Sequence, residues 1–594
     1  MPIPGKGQLL PRRTAPITAG RVLALSAVFW TAVVAVLMLV GGLSGAGEDD
    51  HGTRRDPCGA PDTKVTAPYA VTGYWLFPDG DRCGARKALQ GMHRIGGDTV
   101  ITSGPELQVR QVDLQGRLLR QDGTPDPDFR DCVQRGRTCY QAALDTLRAG
   151  SAGNSIAQVY AMASRDGLGD AALRCARSDA RIVAGGRIYH RLLLPVADPA
   201  SGACDLSAGR PYALVLIAGS ADDWTAGLLG DADRFGMKVY AGLPSFPTQP
   251  RRSWNVDVAH RDVALAVNRV VLEDYARRLR GHPSFAGVYQ TFEVRLRDWP
   301  NPGQDPNLQT YTAQHAAVRE LLPGRKILVS PYWDARRRTG DPTGPAAIEK
   351  GVEAVAGTGA DIIAPQDGRG TGKGALYWEH EAGKPVDPRL KPVPGVGEST
   401  YGQAYLAPTG AYYAAAARAR DALARAGRPF ELWANIEGFE PTAAGGCAAD
   451  TARGRTDKVR LDRAVTAAGG AVGKIVSFKW NGLFTCREGR PATLSEEIAA
   501  DWDRPILTGA VRHREGGRDG LLLSGHRLEG AGVTLTWYDD HWTQQNRIVR
   551  AEPRGGGRLW VPFGVTGLAP RFWIHVDVVN ATGKIASNPY SLRY

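Results

Sequence analysis

The sequence predicts an α/β fold: a (β/α)₈ TIM barrel with a disulfide-stapled insertion, plus a small C-terminal all-β sandwich domain. Short apolar strands alternate with helical segments between residues 71 and 480, as expected for a parallel sheet with right-handed crossovers. One long interruption of this pattern contains four of the eight cysteines. From residue 506 onward, strand-like segments separated by turns replace the alternation.

Eight predicted strands make up the barrel, and they are spread over about 400 residues, which suggests enlarged loops. They lie at 71–77, 98–102, 238–243, 285–293, 326–332, 361–367, 430–437 and 474–480. The helices between them are predicted at 85–95, 222–235, 258–279, 311–322, 346–356, 410–426 and 461–468. Active sites of this fold lie at the C-terminal ends of the strands.

The interruption, which we call the excursion, spans residues 104–211 and begins with a hairpin-like stretch at 107–119. A loop this long carries structure or function of its own. We therefore expect an insertion held together by disulfides and lying beside the active site.

The C-terminal region, residues 506–594, is predicted to be a β-sandwich. Its strands are predicted at 520–523, 533–538, 547–551, 559–563 and 572–579. Two interpretations stay open for this domain: a carbohydrate-binding or wall-docking module, or a structural domain that covers one side of the barrel.

The chain of 594 residues is too long for one ordinary core, so several domains are expected. Residues 1–21 form a basic cytoplasmic N-terminus, and 22–43 form an apolar run long enough to span a bilayer. A linker at 44–68 then leads to the barrel at 69–500. Basic residues before the run and acidic residues after it place the N-terminus inside the cell. The alternative is a signal sequence cleaved near Ser44–Ala46, which would make the protein secreted.

The cysteines indicate an oxidising compartment. Their number is even and none forms a C-x-x-C pair, so disulfides are favoured over a zinc site. We expect sequential pairing, that is 58–83, 132–139, 175–204 and 447–486, although spacing alone leaves other pairings open.

The net charge of +12 indicates a basic surface and is compatible with nucleic acid, anionic envelope polymers or lipid headgroups as partners. The basic residues are scattered and no recognition helix or zinc-finger spacing is apparent, so nucleic acid is not an expected partner. The expected partners are a polysaccharide or glycan substrate and the membrane, through the N-terminal helix. The oligomeric state is left open, and no metal or cofactor is predicted.

Two glutamates end strands four and seven of the predicted barrel: Glu293 and Glu437. Most glycoside hydrolases cleave the glycosidic bond with two carboxyl groups that lie on either side of it. One protonates the leaving oxygen, and the other attacks the anomeric carbon or activates water. We assign Glu293 as general acid/base and Glu437 as nucleophile. A solvated surface glutamate is the competing interpretation for each residue alone.

Strand residues two apart share a face, so aromatic and amide side chains are expected near both glutamates. Sugar rings stack on aromatic side chains, and their hydroxyls need fixed polar partners. The predicted substrate-binding residues are Trp75, Tyr289, Tyr332, Gln366, Asp367, Trp433, Asn435 and Trp480. For each aromatic residue alone, a place in the core is the alternative.

The segment 367–374 is rich in glycine but fails the phosphate-loop pattern, because Asp367 replaces the first glycine and Gly374 replaces the Ser or Thr. We interpret it as a mobile loop over the site. Its two basic residues, Arg369 and Lys373, would then be available to an anionic substrate.

Four motifs resemble the family known as domain of unknown function 4434: Ile362–Gly368, Trp433–Glu437, Val329–Tyr332 and Gly236–Leu243. The resemblance covers roughly residues 70–490, apart from the excursion, and implies a glycoside-hydrolase-like TIM barrel. By similarity to the wider clan of retaining glycosidases with strand-four and strand-seven glutamates, Glu293 would be the acid/base and Glu437 the nucleophile. Phe292 stands where that clan usually has asparagine, so retention and inversion both stay open.

The sequence therefore favours an extracytoplasmic glycoside hydrolase acting on a cell-envelope or extracellular polysaccharide. The alternative is a non-catalytic glycan-binding or envelope scaffold protein on the same barrel. An esterase is disfavoured, because neither a G-x-S-x-G elbow nor a metal-binding histidine pair is found.

Overall fold

A computed structural model describes residues 56–78, 81–201, 204–220, 223–441, 453–487, 489–530, 532–563 and 572–593. The predicted cytoplasmic segment and the predicted membrane span at 22–43 lie outside these residues. Among the described helices, none is both long enough and apolar enough to cross a bilayer.

Eight parallel strands close into a barrel, as predicted. They are β1 Gly73–Leu76, β2 Thr99–Thr102, β3 Lys238–Gly242, β4 Phe285–Gln290, β5 Lys326–Val329, β6 Ile362–Ile363, β7 Glu431–Glu437 and β8 Lys474–Phe478. Each pairs with its neighbour in chain order, and β8 pairs with β1 to complete the ring. Side chains on the outer face of the strands, such as Val239 and Ile327, pack with the helices in one apolar core, and side chains on the inner face form a second apolar layer inside the barrel.

A helix follows each strand or its loop. The helices are α1 Arg82–Arg94, α2 Trp224–Phe235, α3 Val258–Arg278, α4 Pro306–Leu321, α5 Pro345–Ala356, α6 Thr409–Arg425, α7 Lys458–Gly469 and α8 Leu494–Asp501. Aspartates cap several N-termini: the side chain of Asp305, for example, accepts hydrogen bonds from the first-turn amides of α4. A short additional helix, Tyr401–Ala404, precedes α6.

Several barrel strands end earlier than the sequence predicted, and proline explains two of these cases. Pro331 and Pro365 have no amide hydrogen with which to extend the ladder, so β5 ends at Val329 and β6 at Ile363. β4 stops at Gln290, its last residue paired with β5, and the two chains meet again at a bridge between Arg295 and Tyr332. Glu293 consequently lies in the loop after β4 rather than at the last position of the strand.

The excursion between β2 and α2 forms a five-stranded sheet with its own apolar core. Its strands, in spatial order, are Leu107–Val109, Ser155–Ala163, Pro211–Ser220, Arg187–Pro195 and Ala180–Ala184, and the helix Cys139–Gly150 packs on it. A bridge between Glu106 and Ser245 joins the start of the excursion to the loop after β3. The excursion is thereby attached at the C-terminal ends of the barrel strands.

Smaller elements complete the barrel region. Two-stranded pairs are formed by Gln111–Val112 with Leu118–Leu119, Val133–Gln134 with Arg137–Thr138, Thr248–Gln249 with Arg252–Val256, and Phe439–Glu440 with Gly454–Arg455. The first of these lies within the hairpin predicted at 107–119, whereas Leu107–Val109 pairs with Ser155–Ala163 instead.

The C-terminal region contains two four-stranded antiparallel sheets that share one apolar core. One sheet has the order Ile506–Glu515, Arg518–His526, Arg558–Val561, Glu552–Pro553, and the other Gln544–Arg550, Gly532–Tyr538, Trp573–Val579, Tyr590–Arg593. The all-β architecture agrees with the sequence. The exact boundaries of the domains remain predictions.

Two predicted disulfides are present in the excursion, Cys132–Cys139 and Cys175–Cys204. Cys58, Cys83 and Cys486 are disulfide-bonded as well. Cys447 lies outside the described residues, and the pairings 58–83 and 447–486 stay predictions. Disulfides are typical of secreted and extracellular proteins.

The two excursion disulfides are expected to differ in their contribution to stability. They close loops of 7 and 29 residues. Because a cross-link limits the unfolded chain more when its loop is longer, removal should cost about 2 kcal/mol for the short loop and about 3.5 kcal/mol for the long one. Urea unfolding of the Cys132→Ser/Cys139→Ser and Cys175→Ser/Cys204→Ser variants measures the loss of unfolding free energy for each disulfide. A larger loss from the short loop would contradict this expectation.

Candidate active site

A cavity of about 710 Å³ opens at the C-terminal ends of the barrel strands, and both predicted catalytic glutamates line it. Glu293 reaches it from the loop after β4, and Glu437 from the last position of β7. Three predicted substrate-binding residues line it too: Tyr332, Gln366 and Asn435. The fold thus brings side chains more than 140 positions apart in the chain to one cavity.

Glu293 is held by hydrogen bonds at the bottom of the cavity. The hydroxyl of Tyr289 donates to its Oε1 at 2.7 Å, and the side chain of Gln366 also hydrogen-bonds to the carboxylate. Burial raises the pKa of Glu293 above its usual value, while these hydrogen bonds and the charge of Lys373 oppose the rise. A carboxyl group whose pKa is raised by burial is suited to act as a general acid.

Glu437 is fixed by the loop that follows β6. Its Oε2 accepts a hydrogen bond from the backbone amide of Thr371 at 3.0 Å. Burial raises the pKa of Glu437, while the amides of Thr371 and Gly370 and the charge of Lys373 favour the ionised form. Gly370 is required here, because a Cβ at this position would lie 2.9 Å from the Cβ of Glu437.

Asp367 lies beneath Glu437 rather than on the wall of the cavity. It is fully buried, and its Oδ1 accepts from the backbone amides of Arg369 at 3.0 Å and Glu437 at 3.2 Å. Burial raises the pKa of Asp367. Its contacts position the end of β7 and the loop, and its role in substrate binding stays a prediction.

Asn435 lies on β7 between the barrel interior and the cavity. Its amide nitrogen donates to the hydroxyl of Ser330 at 3.0 Å. Gln366 donates to the carbonyl of the same serine at 3.0 Å. These bonds fix two amide side chains beside the glutamates.

Three of the aromatic residues predicted to bind substrate lie below the cavity. Trp75 and Tyr289 meet edge to face at 5.6 Å and belong to the apolar layer inside the barrel. Trp433 shares the inward face of β7 with Glu437, but four residues along a strand are about 13 Å. It therefore lies towards the other end of the barrel, where it lines a separate cavity.

Trp480 lies outside the barrel ring. It stacks on Phe484 at 5.5 Å and packs against α1, where a Cβ on Gly91 would come within 2.9 Å of its ring. Trp480 is buried in the core between the barrel and its helices. The structure gives it a packing role at this position.

Several residues of the cavity were missed by the sequence analysis. The wall includes Phe439 and Phe478, whose rings lie 6.0 Å apart, and Arg453 above both at 5.0 Å. The excursion adds a second wall, and the hairpin after β3 adds the partly exposed Trp254. Contact between the excursion and the cavity agrees with its predicted place beside the active site.

The glycine-rich segment 367–374 does pack over the site, but its two basic residues have different roles. Lys373 lines the cavity, whereas Arg369 is buried and forms an ion pair with Glu440 at 2.8 Å. Arg369 also donates to the backbone carbonyl of Glu437 and to Thr456, so it anchors the loop to β7. It is not available to a substrate.

Loss of Arg369 is expected to destabilise the fold strongly. In the Arg369→Met variant the buried Glu440 loses one of its two close guanidinium partners, because only Arg460 remains at 2.7 Å. Breaking a buried ion pair in this way costs about 3–5 kcal/mol. Arg389→Met is a matched control, since Arg389 is 39% exposed and lies 3.8 Å from the same carboxylate. That pair should be worth about 0–1 kcal/mol. Equal midpoints for the two variants in urea unfolding would contradict the assignment.

The fold and the site define a class: a (β/α)₈ barrel with two carboxylates in one cavity at the C-terminal ends of its strands. Residues 213–382 match the family described as "Domain of unknown function (DUF4434)". The match runs from the last excursion strand to the loop after β6 and confirms the resemblance drawn from the motifs. No curated protein matches the chain.

Solved structures similar to this chain include three glycoside hydrolases. A candidate alpha-L-fucosidase from Bacteroides thetaiotaomicron has 14% identity and a TM-score of 0.38, covering 75% of this chain and 96% of its own. An endo-beta-1,4-mannanase from Thermotoga petrophila has 10% identity and a TM-score of 0.28, with coverages of 62% and 81%. A beta-galactosidase from the psychrophilic Marinomonas ef1 has 14% identity and a TM-score of 0.28, with coverages of 47% and 51%. We assign no residue a role from these likenesses.

Proposed function

We propose that the protein is an extracytoplasmic glycoside hydrolase acting on a cell-envelope or extracellular polysaccharide. The proposal rests on one observation: Glu293 and Glu437 both line one cavity of about 710 Å³. Burial raises the pKa of both groups, and each has its own hydrogen-bond donors. Two carboxylates in one partly apolar cavity can divide acid and nucleophile or base roles between them.

Glu293 would protonate the glycosidic oxygen, because its environment favours the protonated form. Glu437, held by backbone amides, would attack the anomeric carbon or activate water. Asn435 and Gln366 would bind sugar hydroxyls, and the rings of Phe439 and Phe478 would contact the apolar faces of the sugar. The disulfides support action outside the cytoplasm.

A screen of the ectodomain, residues 56–594, against bacterial polysaccharides tests the proposal. Release of reducing ends by the unmodified protein, absent from a Glu293→Gln/Glu437→Gln double variant, supports hydrolysis. Equal binding of a glycan by both proteins without any release would instead support the non-catalytic glycan-binding or scaffold protein.

A further inference from the structure

Lys373 is the basic residue of the segment 367–374 that lines the same cavity as Glu293 and Glu437. Its Nζ lies 4.3 Å from the ring centroid of Tyr332. Among the residues that the structure describes, no carboxylate lies within ion-pair distance of this ammonium and no side chain or carbonyl accepts a hydrogen bond from it. Three N–H donors thus face a cavity without a protein acceptor.

The acidic groups around Lys373 are engaged by other donors. Asp334 forms two hydrogen bonds with the guanidinium of Arg336, at 2.9 and 2.7 Å. Glu437 accepts from an amide of the loop, and Glu293 accepts from Tyr289. Within the described ranges, these three acids act on Lys373 through their charge but form no direct ion pair with it.

The loop holds Lys373 in this place by close backbone packing. Gly372 has a φ of +70°, and Gly374 lies so close to the carbonyl of Asp367 that a Cβ would be 2.2 Å from its oxygen. The amide of Gly374 donates to the carbonyl of Gly368 at 2.9 Å, and the carbonyl of Lys373 accepts from Ala335 at 2.8 Å. The backbone position of Lys373 at the edge of the cavity is thus fixed by the fold.

Burial lowers the pKa of Lys373, and the charge of Glu437 opposes that shift. A cation taken from water without a hydrogen-bond acceptor lowers stability, and an anion bound beside it would offset that cost. Arg453 adds a second positive charge to the same cavity, above Phe439 and Phe478. Positive charge and aromatic rings together suit a sugar ring that carries an acidic group.

We propose that the cavity takes a glycan whose bound sugar carries an anionic substituent, with Lys373 as the residue that selects for it. This inference rests on the proposed function, since it names the substrate class of the same site. A uronic acid carboxylate and a sulfate ester share the required chemistry: a fixed oxyanion that accepts hydrogen bonds from an ammonium.

The test measures binding by the Glu437→Gln protein, in which turnover is removed. The probes are oligosaccharides of polygalacturonate, alginate and hyaluronan beside their carboxyl-reduced forms, and a sulfated galactan beside its desulfated form. We expect an acidic probe to bind about 10- to 100-fold more tightly than its neutral counterpart. Preference among the uronate pairs identifies a carboxylate, and preference in the galactan pair identifies a sulfate. Equal binding within every pair, or no binding of any acidic probe, overturns the proposal.

Variants of Lys373 test whether this residue carries the preference. Lys373→Met should remove the preference, so that an acidic probe and its neutral counterpart bind with similar affinity, and Lys373→Arg should retain the preference. Lys350→Met is the matched control, since Lys350 is 63% exposed and pairs with Asp298 on the surface. A preference that survives in Lys373→Met overturns the role of this lysine.

The outcomes separate this inference from the proposed function. Cleavage of a neutral glycan, with acidic glycans neither bound nor cleaved, would refute the inference and leave hydrolysis standing. Lysine-dependent binding of an acidic probe that the unmodified protein never cleaves would refute hydrolysis and leave the inference standing.

Discussion

The Glu437→Gln variant is expected to release reducing ends from the substrate glycan about 10³-fold more slowly than the unmodified protein, or not at all. An amide is a far weaker nucleophile and base than a carboxylate. Glutamine keeps one side-chain oxygen, which can still accept the hydrogen bond from Thr371. The loop and the cavity should therefore persist, and glycan affinity should change little. Initial rates of reducing-end release, with affinity measured in parallel by calorimetry, check the prediction.

The control for this substitution lies on the same strand. Glu431 begins β7, is 46% exposed and pairs with Lys326 at the opposite end of the barrel. Glu431→Gln makes the same chemical change away from the cavity, so its rate should stay within about twofold, as expected for an exposed pair. Unchanged release by Glu437→Gln would remove Glu437 from the mechanism.

The barrel could be predicted from the sequence because its signal is local. Apolar runs such as Lys238–Gly242 alternate with amphipathic helices, and parallel strands need such crossovers. The ends of the strands were predicted less well. Pro331 and Pro365 interrupt the ladder, and β4 stops where its pairing with β5 ends, which is a non-local effect.

The sequence predicted both glutamates of the cavity correctly, but only some of its aromatic residues. Alternation along β7 correctly puts Trp433 and Glu437 on one face, but it does not say at which depth of the barrel each lies. A rule based on position relative to the strand end would have separated them. Arg453, Phe439 and Trp254 reach the cavity from short hairpins that follow barrel strands, and the paths of these hairpins depend on packing, so the periodicity of the barrel strands gives no signal for them.

The Glu293→Gln variant is expected to lose activity in a way that depends on the leaving group. A general acid contributes about 10²- to 10⁴-fold when the leaving oxygen must gain a proton. An activated aryl leaving group needs no such help, so its rate should fall much less. The measurement is kcat/KM for an alkyl and a nitrophenyl glycoside of the same sugar. Equal losses for both substrates would contradict a role as acid.

The pH dependence of the same protein gives a second test of this role. Glu293 must carry its proton to act as an acid, and burial raises its pKa, so activity should fall at high pH with a midpoint above that of an exposed glutamate. This alkaline limb of kcat/KM should be absent from Glu293→Gln. In Tyr289→Phe the hydrogen bond that favours the ionised form is lost, so the pKa of Glu293 should rise further and the limb should move to higher pH. A limb that moves to lower pH in Tyr289→Phe would show that another group controls it.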